Sequence, residues 1–378
     1  MKFLHVSDLH LGKRLHETSL IDDQEAILKQ ILHIVDEQKP MGIFIAGDVY
    51  DKSAPSAEAV QLFDFFLAEL AKRRLRVFVI SGNHDSPERI AFGSTIMDAS
   101  GIHLSPVYDG NVKPIVLQDN DGELNVYMLP FVKPMHVRRF YEEEGIESYT
   151  DAVRVAIEKM NVDTSKRNVL ITHQFVTGAT RAESEETVGG TDNVDGAVFE
   201  PFDYVALGHL HGAQYCGKNI RYSGTQLKYS FAEANDEKSV SVVEIVEKGG
   251  QVRVETVLLT PIRDMKKVRG TFEELMNPAY ISKDVKADDY VQITLTDEDD
   301  VPNAMSRLQG VYKNALELRY DNARTRANAS ALNASVEEQK SAFALFEEFF
   351  ELQNNAKMTD EQSEYMKDLI EKIEGESV

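Results

Sequence analysis

Five short segments of the chain are rich in residues that hold metal ions: Asp8-Leu9-His10, Gly47-Asp48-Val49-Tyr50-Asp51, Gly82-Asn83-His84-Asp85, Thr172-His173-Gln174 and Gly208-His209-Leu210-His211. Their donors mix carboxylate, amide oxygen and imidazole. Magnesium and calcium prefer oxygen alone, whereas manganese, iron and zinc accept imidazole beside oxygen, so the histidines argue for a transition metal. Two such ions about 3.5–4 Å apart can clamp a phosphodiester, lower the pKa of a water towards neutrality and stabilise the leaving oxygen of an in-line displacement. A pair of ions needs a bridging carboxylate, and Asp48 is the candidate. Any one of these segments alone could be a turn with an Asx cap. Five together are hard to explain that way.

Residues so far apart in sequence can meet only if the fold delivers them to one rim. Apolar, β-branched or aromatic runs precede nearly every segment, and residues 2–6, 42–46, 77–80, 169–171 and 204–207 read as buried strands. Each ligand group then stands just past the carboxyl end of a strand, where open α/β sheets collect their ligands. An amphipathic helix is expected at about residues 22–37. Strand and helix patterns alternate to about Tyr204, and runs at 239–246 and 251–259 close the sheet system. The fold class this predicts is an α/β layered sandwich.

In chain order, the five segments resemble the motifs of the calcineurin-like metallophosphoesterase superfamily. Carried over position by position, the resemblance gives a first metal Asp8, His10, Asp48 and His211, and a second Asp48, Asn83, His173 and His209. His84 is left without a metal. In that family the unligated histidine after the asparagine faces the substrate phosphate. The resemblance therefore casts His84 as the group that orients the phosphate or protonates the departing oxygen, with Asp51 holding its imidazole. Histidine suits proton transfer near neutral pH. The other histidines stand outside this pattern: His5 in the first strand, His33 on the amphipathic helix, and His16, His103 and His136 elsewhere, where core or surface roles are expected. Lys13, Arg14, Lys133, Arg138 and Arg139 could touch phosphates or form an ordinary solvated face.

The chain has 378 residues, enough for two or three domains. With 41 basic and 63 acidic residues its net charge is −22, which argues against a general nucleic-acid binder. Residues 331–378 hold 12 acidic and 4 basic residues, so 8 of the 22 excess charges lie in that tail. DNA remains an acceptable substrate if metals, local patches or a more basic partner offset the rest. Cys216 is the single cysteine, which excludes an intrachain disulfide and fits a reducing compartment. The strand-like start and the lack of an apolar stretch near 18 residues make a soluble cytoplasmic protein the expectation.

Four parts are expected along the chain: a metallophosphoesterase domain at 1–262, a small α/β cap at 263–321, a linker at 322–333 and a helical segment at 334–378. Pro261 and the Lys266-Lys267 region suggest the first boundary. In the cap, residues 289–296, 301–309 and 315–320 read as strand, helix and strand. Residues 322–333 are rich in Asn, Ala, Ser and Arg and have no apolar period. Beyond them Phe343, Phe346, Phe349, Phe350 and Leu352 form one helical stripe and Tyr365, Met366, Leu369, Ile370 and Ile373 a second, with Thr359 and Gln362 as a capping box between. This acidic hairpin either packs on its own domain or docks a partner.

The whole layout resembles one branch of the superfamily, the SbcD-type nuclease subunits, through His5-Val6-Ser7-Asp8-Leu9-His10-Leu11-Gly12, Ala46 to Asp51 and Ile80 to Ser86. Protein phosphatases usually carry Arg and Glu where this chain has Lys52 and Asp85. That resemblance implies manganese-dependent cleavage of DNA, exonucleolytic from 3′ ends and endonucleolytic at hairpins, in double-strand-break processing. It also implies a homodimer and an SbcC-type structural-maintenance ATPase that receives residues 334–378. A small-molecule or cyclic-nucleotide phosphodiesterase and a non-catalytic metal-stabilised scaffold are the alternatives.

Overall fold

The computed structural model describes residues 1–180, 192–277, 285–323, 325–326, 343, 345–347, 349–350 and 357–376. Its sandwich strands, in chain order, are β1 (Lys2–Val6), β2 (Gly42–Ala46), β3 (Arg76–Ile80), β4 (Ile102–Leu104), β5 (Ile115–Asp119), β6 (Gly122–Leu129), β7 (Arg167–His173), β8 (Tyr204–Gly208), β9 (Gln214–Gly217), β10 (Ile220–Tyr222), β11 (Ser239–Glu244) and β12 (Arg253–Leu258). They make two six-stranded sheets, ordered β12-β11-β1-β2-β3-β4 and β9-β10-β8-β7-β6-β5. Strands β1 to β4 run parallel to one another, and so do β6, β7, β8 and β10. Parallel strands covered on both faces need unbroken apolar runs. Gly42–Ala46 meets that demand, being buried at every position.

Between the sheets lie Phe3, Phe44, Phe78, Val126, Met128, Val169 and Ile171. Phe3 and Phe44 stack with centroids 4.5 Å apart. The outer face of the first sheet is covered by α1 (Ile21–Gln38) and α2 (Ala57–Lys72), and that of the second by α3 (Tyr149–Lys159). The helix expected at 22–37 is α1, and it buries Ile27, Leu28, Ile31, Leu32 and Val35 against the sheet. Ser56 fixes the start of α2 by accepting the Ala59 amide. The expected layered α/β class is the observed one.

A third, all-parallel sheet joins β13 (Met265–Gly270), β14 (Tyr290–Leu295) and β15 (Asn314–Tyr320), with its own core of Leu275, Val291, Ile293, Leu295, Leu308 and Tyr312. Strand β13 was not anticipated; it runs through the Lys266-Lys267 stretch. Arg263 fastens this sheet to the sandwich by donating to both oxygens of buried Asp23 (3.0 and 2.6 Å), and the Tyr290 hydroxyl donates to the same carboxylate at 2.8 Å.

Most of the expected linker lies outside the described residues; of the first expected terminal helix, residues 343, 345–347 and 349–350 are described, and they are helical. The second helix is α4 (Asp360–Glu376). It opens with the expected capping box: the Thr359 amide donates to Gln362 Oε1 (2.9 Å) and the Gln362 amide to Thr359 Oγ1 (3.3 Å). Lys367 lies 4.8 Å from the Phe343 ring centroid, which brings the two terminal stretches side by side. Among the described residues no helix is long and apolar enough to cross a membrane.

Candidate metal centre

Just past β1, β2 and β8 the backbone turns sharply to aim side chains into one cleft. Asp8, His10, Asp48 and His209 have φ of 53°, 43°, 48° and 109°. Positive φ in non-glycine residues costs on the order of 1–3 kcal/mol and persists where the surroundings enforce it. Interlocked loops enforce it here: the Asp8 amide donates to Gly47 O (3.0 Å), that of His10 to Asp48 O (3.0 Å) and that of Leu11 to Val49 O (2.9 Å). The third loop must approach closely, and a Cβ at Gly82 would land on the Asp48 carboxylate.

Asp48 is buried at the middle of the cluster. Its Oδ2 lies 3.8 Å from His10 Nε2, 3.4 Å from His173 Nε2 and 3.9 Å from His84 Nε2, while Oδ1 accepts the His84 amide at 2.8 Å. Asn83 Oδ1 accepts from His173 Nε2 and His209 Nδ1, both at 3.0 Å. The His211 ring stands 5.3 Å from that of His10. All seven ligand candidates from the sequence therefore reach one cleft. Two trios of donor atoms fall within 4.8 Å of one another, His10 with Asp48 and His84, and Asp8 with Asp48 and His173. These trios cut across the partition drawn from the family resemblance, which groups Asp8 with His10.

The donor set fits divalent metal. His10 is fully buried, and neither of its ring nitrogens has a hydrogen-bond partner. An unpartnered polar atom in the interior costs about 1–3 kcal/mol, a cost that a ligated ion removes. Burial also pushes the His10 pKa well down, favouring the neutral ring that a metal requires. Burial pushes Asp8 up to about 6, with the Asp48 charge adding to the rise. Burial works against charge at His173 too, but the Asp48 carboxylate prevails and raises that imidazole to about 9. The same pairing, opposed by burial, holds Asp48 well below the usual carboxylate range. The pairing thus favours charge on both partners, imidazolium against carboxylate.

His84 stands at the open side, its side chain 42% exposed. Its Nδ1 donates to the Asp51 main-chain carbonyl at 3.0 Å, so Asp51 touches the imidazole through its backbone. The Asp51 carboxylate instead pairs with Lys13 at 2.8 Å. The histidines outside the pattern are placed differently. His5 is a core residue, bonded to the Tyr204 hydroxyl (2.9 Å) and Leu207 O (3.1 Å), and burial drives its pKa down to about 3. His33 lies on the surface of α1 beside Glu37.

Three supporting residues escaped the sequence reading. Asp85 accepts the amides of Val49, Tyr50 and Gly82 (3.1, 2.9 and 2.9 Å), tying the second ligand loop to the third. Glu233 accepts from His211 Nδ1 at 3.1 Å and pairs with Lys238 at 2.7 Å; burial opposes its charge, yet these partners hold it down at about 2. Gln24 of α1 bonds His10 O (2.7 Å) and the Gly12 amide (2.9 Å), bracing the first loop. Asp85 was legible as the last residue of the third segment and as a departure from the phosphatase pattern, with no bracing role assigned to it. Nothing in the sequence singled out the other two.

Residues 1–213 match the calcineurin-like phosphoesterase family. Residues 261–354 match a second family, described as the type 5 capsule protein repressor C-terminal domain. A Staphylococcus epidermidis protein, named as the SbcD component of nuclease SbcCD, is 33% identical over 325 residues, 84% of this chain and 85% of the relative. Among solved structures, TT1561 of Thermus thermophilus is 10% identical with a TM-score of 0.37, covering 68% of this chain and 98% of its own. A dimetal phosphatase from Danio rerio is also 10% identical, with a TM-score of 0.36 and the same coverage of 68% and 98%.

Proposed function

This chain belongs to the calcineurin-like phosphoesterase family, in its SbcD branch, and we propose that it is the nuclease subunit of an SbcCD-type complex, hydrolysing DNA phosphodiesters. The observation that carries this reading is the buried Asp48 carboxylate between two sets of donors, one of them a histidine with both nitrogens unpartnered. On this reading Asp8, His10, Asp48 and His211 hold one ion, and Asp48, Asn83, His173 and His209 the other. Two bound divalent ions, manganese fitting the mixed donors well, supply an activated water and neutralise charge on the phosphate.

The chain's own residues do the rest. Because His84 Nδ1 donates to Asp51 O, its Nε2 is the nitrogen left for substrate; as the imidazolium, protonated at both nitrogens, His84 gives the Nε2 proton to the departing oxygen and returns to the neutral ring with its proton on Nδ1. Lys13 neutralises the Asp51 carboxylate and so keeps one more negative charge from facing the incoming phosphate. Asp85 and Glu233 hold the ligand loops and the His211 tautomer in place.

The finer reading is a 3′–5′ exonuclease and hairpin endonuclease in double-strand-break repair and recombination, located in the cytoplasm. The catalytic domain is residues 1–262, capped by 263–321. Phe92 and Ile96, 82% and 81% exposed beside the third ligand loop, support a homodimer across that face. Leu345, Phe349 and Tyr365, 57%, 57% and 70% exposed, support docking of residues 334–378 on an SbcC-type ATPase. The test is cleavage of an end-labelled duplex with one hairpin end while manganese is titrated, with and without such a partner. Metal-dependent shortening from 3′ ends and nicking near the hairpin are expected. Hydrolysis of small phosphodiesters with no action on DNA at any length, partner included, would overturn the reading.

A further inference from the structure

A cleft of about 260 Å³ beside the metal centre is walled by Pro87, Glu88, Tyr108, Phe131, His136 and Arg139. Phe131 links the two. Its amide donates to Ser81 O at 2.9 Å, at the start of the Asn83 loop, and its ring stands edge-on to His173 with centroids 6.2 Å apart.

The lining combines flat apolar faces with hydrogen-bond donors. His136 Nδ1 accepts the Lys133 amide at 3.3 Å. A ring nitrogen that accepts carries no proton, so the neutral imidazole keeps its proton on Nε2 and presents a donor there. Burial, with the charges of Lys133 and Arg139, lowers the His136 pKa and keeps that ring neutral near pH 7. Arg139 lies over the Phe140 ring, 5.0 Å from its centroid, and offers a planar fork of donors. The Tyr108 hydroxyl is buried without a hydrogen-bond partner. Glu88 is the acid of the lining, and its carboxylate is engaged by Ser86 Oγ at 2.8 Å. Neighbouring Arg138 is different: it donates twice to Ile146 O (2.9 and 2.6 Å) and holds the fold.

Donors awaiting acceptors, next to an aromatic face and a phosphoesterase centre, match one unit of single-stranded nucleic acid. Phosphate oxygens suit Arg139 and His136 Nε2, and a base suits the face of Phe131. We propose that this cleft binds one unpaired nucleotide adjoining the scissile phosphate. It is too small for a duplex, so the strand enters it frayed. This deepens the nuclease reading and rests on it.

The test compares kcat/KM on a single-stranded oligonucleotide with kcat/KM on bis(p-nitrophenyl) phosphate, which is too short to fill the cleft. Arg139→Ala and Phe131→Leu should each lower the oligonucleotide-to-small-diester ratio about tenfold, through KM, as loss of one stacking or phosphate contact does. Arg253→Ala, which removes the same charge from edge strand β12, should leave the ratio where it is. An unaltered ratio in both cleft variants would overturn the cleft alone. A wild-type protein that hydrolyses the small diester and no oligonucleotide would overturn the nuclease reading and the cleft with it.

Discussion

His10 and His173 flank the same carboxylate and are equally buried, yet they are held in opposite ways. His173 is fully partnered by protein: Nδ1 donates to Ala46 O at 2.8 Å, and Nε2 meets Asn83 Oδ1 at 3.0 Å with Asp48 Oδ2 at 3.4 Å. His10 has no hydrogen bond at either nitrogen. One side of the centre is a closed hydrogen-bond network that an ion must open. The other is incomplete until an ion arrives. With the His173 pKa raised and that of His10 lowered, metal binding at His173 should release more protons than binding at His10.

Asp48 belongs to both sides, so its loss should erase the difference. Asp48→Asn should cost several kcal/mol of transition-state stabilisation, about 10⁴-fold in turnover of a phosphodiester. His84 stands beside His10 and Asp48, but the proposed partition gives it no ion. His84→Ala should lower turnover about 10²- to 10³-fold with metal content unchanged, measured by steady-state rates beside elemental analysis. Glu233→Gln acts on one side only, through His211. Manganese affinity there should fall roughly 10- to 100-fold while the other ion stays bound, as read by a calorimetric titration.

Matched truncations sharpen the contrast in the metal-free protein. His173→Ala leaves Ala46 O without its side-chain donor and Asn83 Oδ1 with His209 alone, and should destabilise folding by about 1–3 kcal/mol more than His10→Ala, which removes two unpartnered atoms. Equal losses in urea melts would break the comparison. These melts need a pH at which other carboxylates are silent. Asp119 is the group to avoid: the hydrogen bond from Arg167 (3.2 Å to Nη1) lowers its folded pKa. Its stabilisation is complete above the unfolded value of about 3.9 and is lost as pH falls through the lower folded value. Stability should therefore drop below about pH 4 in the wild type and drop less in Asp119→Asn.

What could be read in the sequence divides along the same physical line. Buried parallel strands must be unbroken apolar runs, so residues 2–6 and 42–46 were placed to the residue, and so was the rim they end on. The candidate ligand residues are chemically distinctive and sit next to those strands. Glu233 and Gln24 are ordinary polar residues far in sequence from the groups they brace, and only folding gives them a role. Strand β13 was missed because Lys266, Lys267 and Arg269 leave it no apolar run: Lys267 and Arg269 are exposed, and Lys266 and Val268 beside them are half-buried. The Asp51 contact was expected from a side chain and comes from a carbonyl, which every residue has.

The central claim is that Asp48 joins two ions. Equilibrium dialysis against manganese at neutral pH, followed by elemental analysis, tests it directly. The account predicts two ions per chain in the wild type and fewer than one in Asp48→Asn. A single ion in the wild type, or two retained in Asp48→Asn, would contradict it.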